Sequence, residues 1–158
     1  MPTVFSHIAV PVAARLGAGK ISVPNSLLIT GIVLSVIPDA DVIAFRLGVP
    51  YATALGHRGF SHSLLFAAAA ALGGSLLLRA FKIPMRKSFW YLSLAAASHG
   101  LLDAFTTGGY GIAFLWPFSE QRFFAPVQVI DVSPLSISRF FQYGGFDVLR
   151  SELKWVWA

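Results

Sequence analysis

Three long apolar segments constrain the fold of this chain more than any other feature. Ile21–Pro38 and Ser61–Leu78 contain no Lys, Arg, Asp or Glu, and Ser88–Thr106 contains only Asp103. An α-helix rises about 1.5 Å per residue, so about 20 apolar residues cross the hydrocarbon layer of a bilayer, which is about 30 Å thick. Backbone polar groups in lipid must be paired within the protein, so we expect these segments to form helices.

The composition favours a membrane protein over a soluble one. Hydrophobic residues make up 56% of the 158 residues and charged residues 12%, whereas a soluble domain carries about 25% charged residues. A domain this small has too little interior to hide so much apolar surface. We therefore predict an all-α, polytopic helical bundle with about three to five membrane-embedded helices, forming a single domain over residues 1–158.

Two regions do not fit the pattern of long apolar segments. Val4–Leu16 is apolar but too short to cross a bilayer, so we expect it to be re-entrant or packed inside the protein. Glu120–Arg150 is mixed, aromatic and polar, with little helical periodicity, which predicts an irregular C-terminal cap near the membrane interface.

The net charge of +5 indicates contact with anionic lipid rather than nucleic acid. Basic residues lie in short loops between apolar segments, notably Arg15, Lys20 and the turn 79–87, and no basic-aromatic groove pattern indicates a nucleic-acid partner. The positive-inside rule places these loops in the cytoplasm. The chain is thus expected to be a multi-pass membrane protein, with the opposite end toward the outer face of the membrane.

Ionisable residues inside apolar segments are costly, and for that reason they usually have a function. His99 and Asp103 are four residues apart, so they share one face of a helix and can bind the same cation. The alternative is a hydrogen-bonded pair that only ties helices together.

Two further motifs contain candidate ligands. His57-Arg58-Gly59-Phe60-Ser61-His62 has a spacing that predicts a turn whose two histidines converge, although a pair of interfacial histidines is the alternative. Asp39 and Asp41 follow an uncharged helix, where the helix dipole disfavours negative charge unless a cation compensates. The alternative for these two is a solvated turn that ends the helix.

The expected topology brings these residues to one end of the bundle. Ser61–Leu78 and Ser88–Thr106 should pair antiparallel, so His99 and Asp103, about 16–22 Å along the second helix, return to the level of His62. Ile21–Pro38 can carry Asp39 and Asp41 to the same level, and His7 joins them from an otherwise apolar segment. The predicted metal ligands are His7, Asp39, Asp41, His57, His62, His99 and Asp103.

This donor set indicates a site with nitrogen and oxygen ligands for divalent metal ions. The chain has no cysteine, which excludes thiolate ligands and disulfides. Seven ligands exceed the need of one catalytic zinc, so we expect two metal ions, with zinc favoured and manganese or iron as alternatives. Arg58 is the predicted catalytic residue, because its guanidinium can bind a phosphate; a headgroup anchor is the other interpretation.

The motifs resemble those of the YdjM-like family. Ser6-His7, Pro38-Asp39-Ala40-Asp41, His57 to Ser63, and Ser98-His99 with Asp103 carry the resemblance, which extends over about Met1 to Phe118. The family is described as bacterial inner-membrane metal-dependent hydrolases with remote similarity to zinc-dependent phospholipase C. The resemblance therefore implies phosphoester hydrolysis, although many members carry a histidine where this chain has Val42.

The function expected from the sequence is hydrolysis of a phosphoester in a phospholipid or lipid-like substrate. Phe60, Phe105, Phe114 and Trp116 are the aromatics expected near such a site, as a groove or as an interfacial belt. The alternatives are a non-enzymatic metal-binding or transport-associated membrane protein, or an amide hydrolase. A transporter should have a polar path through the membrane, whereas here the polar residues gather at one end.

Overall fold

The computed structural model describes residues 1–134, 137–142 and 144–158. Its eight α-helices in the described residues are α1 (Val4–His7), α2 (Ala9–Ser22), α3 (Asn25–Val36), α4 (Val42–Arg46), α5 (Leu64–Leu78), α6 (Met85–Ala104), α7 (Ile137–Gln142) and α8 (Gly145–Glu152). Short helical turns follow or precede four of them, at Ile37–Asp41, Phe60–His62, Arg79–Phe81 and Leu153–Trp157. No strand is present in the described ranges, so the predicted all-α fold is confirmed.

Local sequence signals set most helix boundaries. Pro24 precedes α3 in an extended conformation, as expected for a residue that favours a helix start. The hydroxyl of Ser63 accepts a hydrogen bond from the amide of Phe66 at 3.1 Å and so caps α5. Ile21 belongs to α2 rather than to the next helix, so the first apolar segment is divided between two helices at Val23–Pro24.

The centre of the fold is an antiparallel hairpin of α5 and α6, against which α3 packs. One face of α5 carries the small residues Ala67, Ala71, Gly74 and Ser75, which are buried. Small residues at an interface let helix backbones approach closely, the usual way helices associate in lipid. Leu92 of α6 is fully buried against this face.

The outer faces of the bundle are apolar as well. Leu77 on α5 is 75% exposed, Ile29 on α3 is 60% exposed, and Leu94 on α6 is 64% exposed. Helices that are hydrophobic on all sides are suited to lipid rather than to water. Two stretches are long and apolar enough to cross a membrane, Asn25–Ala44 and Leu64–Phe81. The predicted total of about three to five membrane-embedded helices stays a prediction.

The two ends of the chain lie together at one end of the bundle. The segment Val4–Leu16 forms α1 and much of α2, and it packs against α3 and α6 instead of standing alone. The cap predicted over Glu120–Arg150 is irregular in its first part, where the described residues after α6 form only isolated bridges, between Thr106 and Ile130 and between Ile112 and Phe123. Its last part is helical, because α7 and α8 lie there. Thr3 donates hydrogen bonds from its amide and its hydroxyl to the buried carboxylate of Glu152, which ties α1 to α8.

Candidate metal centre

Elements that are distant in sequence end at one place in the fold. They contribute seven side chains: His7 from α1, Asp39 and Asp41 from the turn after α3, His57 and His62 from the turn before α5, and His99 and Asp103 from the last turns of α6. The turn before α5 approaches α6 closely because residue 100 is glycine. A Cβ atom at Gly100 would lie 3.0 Å from the carbonyl oxygen of His62.

Five of these side chains point their free donor atoms at one another. His7 Nε2 lies 3.6 Å from Asp39 Oδ2 and 3.7 Å from Asp103 Oδ1. His99 Nε2 lies 3.3 Å from Asp39 Oδ1, and His62 Nε2 lies 3.4 Å from Asp103 Oδ2. The two Nε2 atoms of His62 and His99 are 3.0 Å apart. Three imidazoles and two carboxylates therefore surround one small volume.

The hydrogen bonding of this cluster is incomplete without a cation. Both carboxylate oxygens of Asp39, both of Asp103 and both ring nitrogens of His7 are buried and lack a hydrogen-bond partner. Buried polar atoms that lack a hydrogen bond cost free energy, even where an oppositely charged group lies nearby. A divalent cation among these atoms would supply the missing partner, so the donor set fits a metal ion.

Two of the histidines are oriented by contacts to their Nδ1 atoms, on the side away from the cluster, as is usual for metal-binding histidines. His99 Nδ1 donates to the backbone carbonyl of Ser35 at 2.8 Å, which leaves the lone pair of Nε2 facing the cluster. His62 Nδ1 lies 3.0 Å from the hydroxyl of Ser61 and 3.2 Å from Asp41 Oδ2. Neither orienting serine was predicted; Ser61 stands inside the His57–His62 motif, whereas nothing in the sequence relates Ser35 to residue 99.

Asp41 differs from the other two aspartates because its oxygens already have partners. Oδ1 is 2.5 Å from Nδ1 of His57, and Oδ2 accepts from the Ser61 hydroxyl at 2.7 Å and the Arg58 amide at 3.2 Å. This geometry favours a carboxylate that orients two histidines, and the expected role of Asp41 as a metal ligand stays a prediction. His57 Nε2 is buried without a partner and stays available.

The ligand atoms form two overlapping groups that satisfy the spacing of a metal site. Asp39, His62, His99 and Asp103 each offer one atom within 4.8 Å of the others, and so do Asp41, His57 and His62. The first group is equipped for a cation, because its oxygens lack hydrogen bonds. In the second group the oxygens of Asp41 are occupied, so we give more weight to the first.

The surroundings of Arg58 differ from those expected of a phosphate-binding residue. Its side chain is fully buried, and Nη1 donates to the carbonyl oxygens of Gly108 and Tyr110, both at 2.9 Å. Nη2 donates to the hydroxyl of Thr106 at 2.8 Å, and Nε lies 3.2 Å from Asp103 Oδ2, close enough for an ion pair but not aligned for a hydrogen bond. These contacts favour a residue that positions Asp103 over one that binds substrate.

Arg122, in the cap, is a further residue that the sequence did not indicate. Its guanidinium donates to backbone carbonyls on both sides of the turn that carries His57, with donor–acceptor distances of 3.0–3.4 Å to Ala52, Thr53, His57, Arg58 and Gly111. The acceptors are backbone atoms about ten to seventy positions away, and no side-chain pattern reveals such acceptors. Arg122 thereby holds the His57-Arg58 turn against the cap.

Three of the four predicted aromatics pack against other aromatic rings, whereas Phe105 is half-buried and its place near a substrate stays a prediction. The ring of Phe60 contacts those of Phe66 and Trp116, with centroid separations of 5.6 and 5.7 Å. Phe114 packs against Phe123 at 6.4 Å. The cluster supports the cap and favours the belt interpretation.

Two histidines outside the membrane-crossing stretches have opposite pKa shifts. Burial disfavours the charged form of His62, but the carboxylates of Asp103 and Asp41 outweigh it and raise its pKa to about 9. Burial and the neighbouring His99 lower the pKa of His7 to about 3. In the metal-free protein at neutral pH, the imidazole of His62 is therefore positively charged, and that of His7 is uncharged.

Comparison with known proteins extends the resemblance noted in the motifs. The YdjM inner membrane protein family matches residues 1–158, so the similarity continues through the cap and beyond the Met1–Phe118 range that the motifs indicated. The chain is 47% identical over 158 residues to inner membrane protein YbcI of Escherichia coli (strain K12), covering 99% of this chain and 91% of that protein. No solved structure matches. With its whole length matched, the chain belongs to the YdjM inner membrane protein family.

Proposed function

We propose that this protein is a membrane-bound metal-dependent hydrolase that cleaves a phosphoester in a phospholipid or lipid-like substrate. The observation that carries the proposal is the convergence of three imidazole nitrogens on two buried carboxylates whose oxygens lack hydrogen bonds. A divalent metal, when bound, supplies a Lewis acid that polarises a phosphoryl oxygen and activates water. The inner-membrane family and the apolar outer surface of the bundle make lipid the nearest substrate class.

The side chains divide into those that hold the metal and those that position them. His7, Asp39, His62, His99 and Asp103 are the proposed ligands. Asp41 orients His57 and His62, and Arg58 holds the carboxylate of Asp103 by its charge. His57 offers one further nitrogen at the edge of the set.

Zinc is the favoured metal, since imidazole and carboxylate ligands suit it; manganese and iron suit the same ligands. The cluster of proposed ligands provides enough donor atoms for one metal ion. A second ion, expected from the ligand count, would bind at His57 and His62 with Asp41 giving up its hydrogen bonds. The site is proposed to face the outer side of the inner membrane, opposite the basic turn.

The second candidate function is a structural metal site without catalysis, and the burial of the ligands favours it. The side chains of His7, His62, His99 and Asp103 are 0% exposed, whereas a catalytic metal needs an open coordination position. On this alternative the metal joins α1, α3 and α6 and stabilises the bundle.

Elemental analysis of the purified protein, followed by a hydrolysis panel with and without chelator, tests both candidates. The panel contains phospholipids, a soluble phosphoester and amide substrates. We expect bound zinc, manganese or iron and chelator-sensitive release of a phosphoester product. Asp103→Asn should abolish both metal binding and turnover, because it removes a carboxylate from the centre of the cluster.

Asp147→Asn is the matched control, since Asp147 is exposed on α8 and belongs to no cluster. Metal retained in Asp103→Asn at the wild-type ratio would contradict the site. Bound metal with no turnover of any ester or amide would leave only the structural candidate.

A further inference from the structure

An apolar groove between α1 and α3 lies beside the proposed metal centre. It has a volume of about 560 Å³, which is within the range of small-molecule sites. Its lining is formed by Val4, Ile8, Ile32, Val33, Val36, Ile37, Asp39 and Ala40. Asp39 is the only ionisable residue in that lining, and it is also a proposed metal ligand.

Asp39 is the proposed ligand that lies nearest to the groove, although both of its carboxylate oxygens face the buried cluster. Its side chain is 8% exposed, whereas those of His7, His62, His99 and Asp103 are 0% exposed. Other cavities in the described part of the chain, at the Met1–Phe141 contact, at Arg122, at the basic turn and beside Phe146, contain none of the proposed ligands. Among these cavities, the groove is therefore the one that adjoins a proposed ligand.

The position of the groove in the bilayer determines what can fill it. Its α3 wall belongs to the stretch Asn25–Ala44, which is long and apolar enough to cross a membrane. Val33 and Ile37 on that wall are 51% and 43% exposed, so they face the surroundings of the protein. In a bilayer those surroundings are acyl chains, which suit a wall without polar groups.

We propose that the groove binds one acyl chain of a lipid and delivers the polar end of that lipid to Asp39 from within the bilayer. This inference rests on the proposed function and narrows its substrate to lipids that enter laterally. The apolar wall binds the chain by the hydrophobic effect, and the one polar residue marks the end at which the ester lies. Soluble phosphoesters have no acyl chain, so the apolar wall would not contribute to their binding.

Photo-crosslinking tests the groove without relying on catalysis. Metal-loaded protein in detergent micelles is irradiated with a small mole fraction of phosphatidylglycerol that carries a diazirine in its acyl chain, and the labelled residues are located by mass spectrometry. We expect the label to concentrate on residues 32–40 and on α1. Val36→Trp fills the groove and should reduce that label about tenfold, the effect of losing 1.4 kcal/mol of binding free energy.

Leu72→Trp is the matched control, because Leu72 is 45% exposed on α5 and lies outside the groove. Gel-filtration behaviour reports folding, and Val33→Trp at the more exposed rim replaces Val36→Trp if the latter does not fold. An even label over α3 and α5, or equal loss in the Leu72→Trp protein, would overturn the groove. If label and variant effect are as expected but no metal binds, the proposed function fails while the lipid site stands.

Discussion

At the scale of single residues, Asp39 and Asp41 differ in whether their carboxylate oxygens already have hydrogen-bond partners. The two oxygens of Asp41 are taken by His57, Ser61 and the amide of Arg58, so the ring positions of the histidines depend on it. Asp39, two residues earlier, has both oxygens without hydrogen bonds. Residues of one short motif therefore have different roles, decided by which way each carboxylate faces.

Asp41→Asn distinguishes an orienting role from a ligand role. We expect the number of bound metal ions per chain to stay the same while metal affinity falls about 10–100-fold, the usual cost of losing an orienting partner. Affinity is measured by competition with a chromogenic chelator, and the number of ions by elemental analysis. Asp147→Asn serves as control, and loss of one ion per chain would make Asp41 a ligand.

At the scale of elements, the hairpin of α5 and α6 decides where the ligands meet. Gly74 on α5 faces Leu92 of α6, and a Cβ atom there would lie 2.9 Å from Leu92 Cδ1 and 3.2 Å from Thr30 Cγ2 of α3. The three helices thus meet around a residue without a side chain. The adjacent Gly73 has no atom within 4 Å of a built Cβ, so the two glycines differ only in what surrounds them.

Gly74→Val should destabilise the protein more than Gly73→Val. Both substitutions change helix propensity equally, but only the first forces helices apart, at a cost of about 1–3 kcal/mol in free energy of unfolding. Unfolding in mixed micelles of increasing SDS content, followed by circular dichroism, measures the difference. Equal unfolding midpoints for the two variants would show that α3, α5 and α6 do not pack closely at this position.

At the scale of the whole molecule, the protonation of His62 couples folding stability to metal binding at the proposed site. In the metal-free protein its pKa is raised to about 9, from an ordinary value of about 6.5. A raised pKa contributes stability that is fully present below about pH 6.5 and is lost as the pH rises through about 9. Metal binding requires the neutral imidazole, so it must release this proton.

As the pH rises, the stability of metal-free protein and its affinity for metal should therefore change in opposite directions. We expect the Tm of metal-free protein to fall between pH 6.5 and 9, and metal affinity to rise over the same interval. Thermal unfolding in detergent and proton release into weakly buffered solution on metal addition are the measurements. His62→Gln should flatten the Tm profile of the metal-free protein, and an unchanged profile in that variant would assign the dependence to another group.

The sequence by itself determined the solvent of this protein and the end of the bundle at which its polar residues gather. Uncharged stretches of membrane-crossing length require helices in lipid, and helix rise places His62, His99 and Asp103 at one level, because both properties depend on local geometry and composition. The sequence motifs also indicated the YdjM inner membrane protein family, whose match covers the cap as well.

Only the tertiary structure decided the roles of the individual residues. The burial of Arg58, its contact with Asp103, the orienting position of Asp41 and the hold of Arg122 on the His57-Arg58 turn all depend on backbone carbonyls and side chains from distant segments. The apolar groove between α1 and α3, with Asp39 in its lining, likewise exists only once the two helices pack. Periodicity and spacing describe one segment at a time, whereas hydrogen-bond partners and cavities are formed by several.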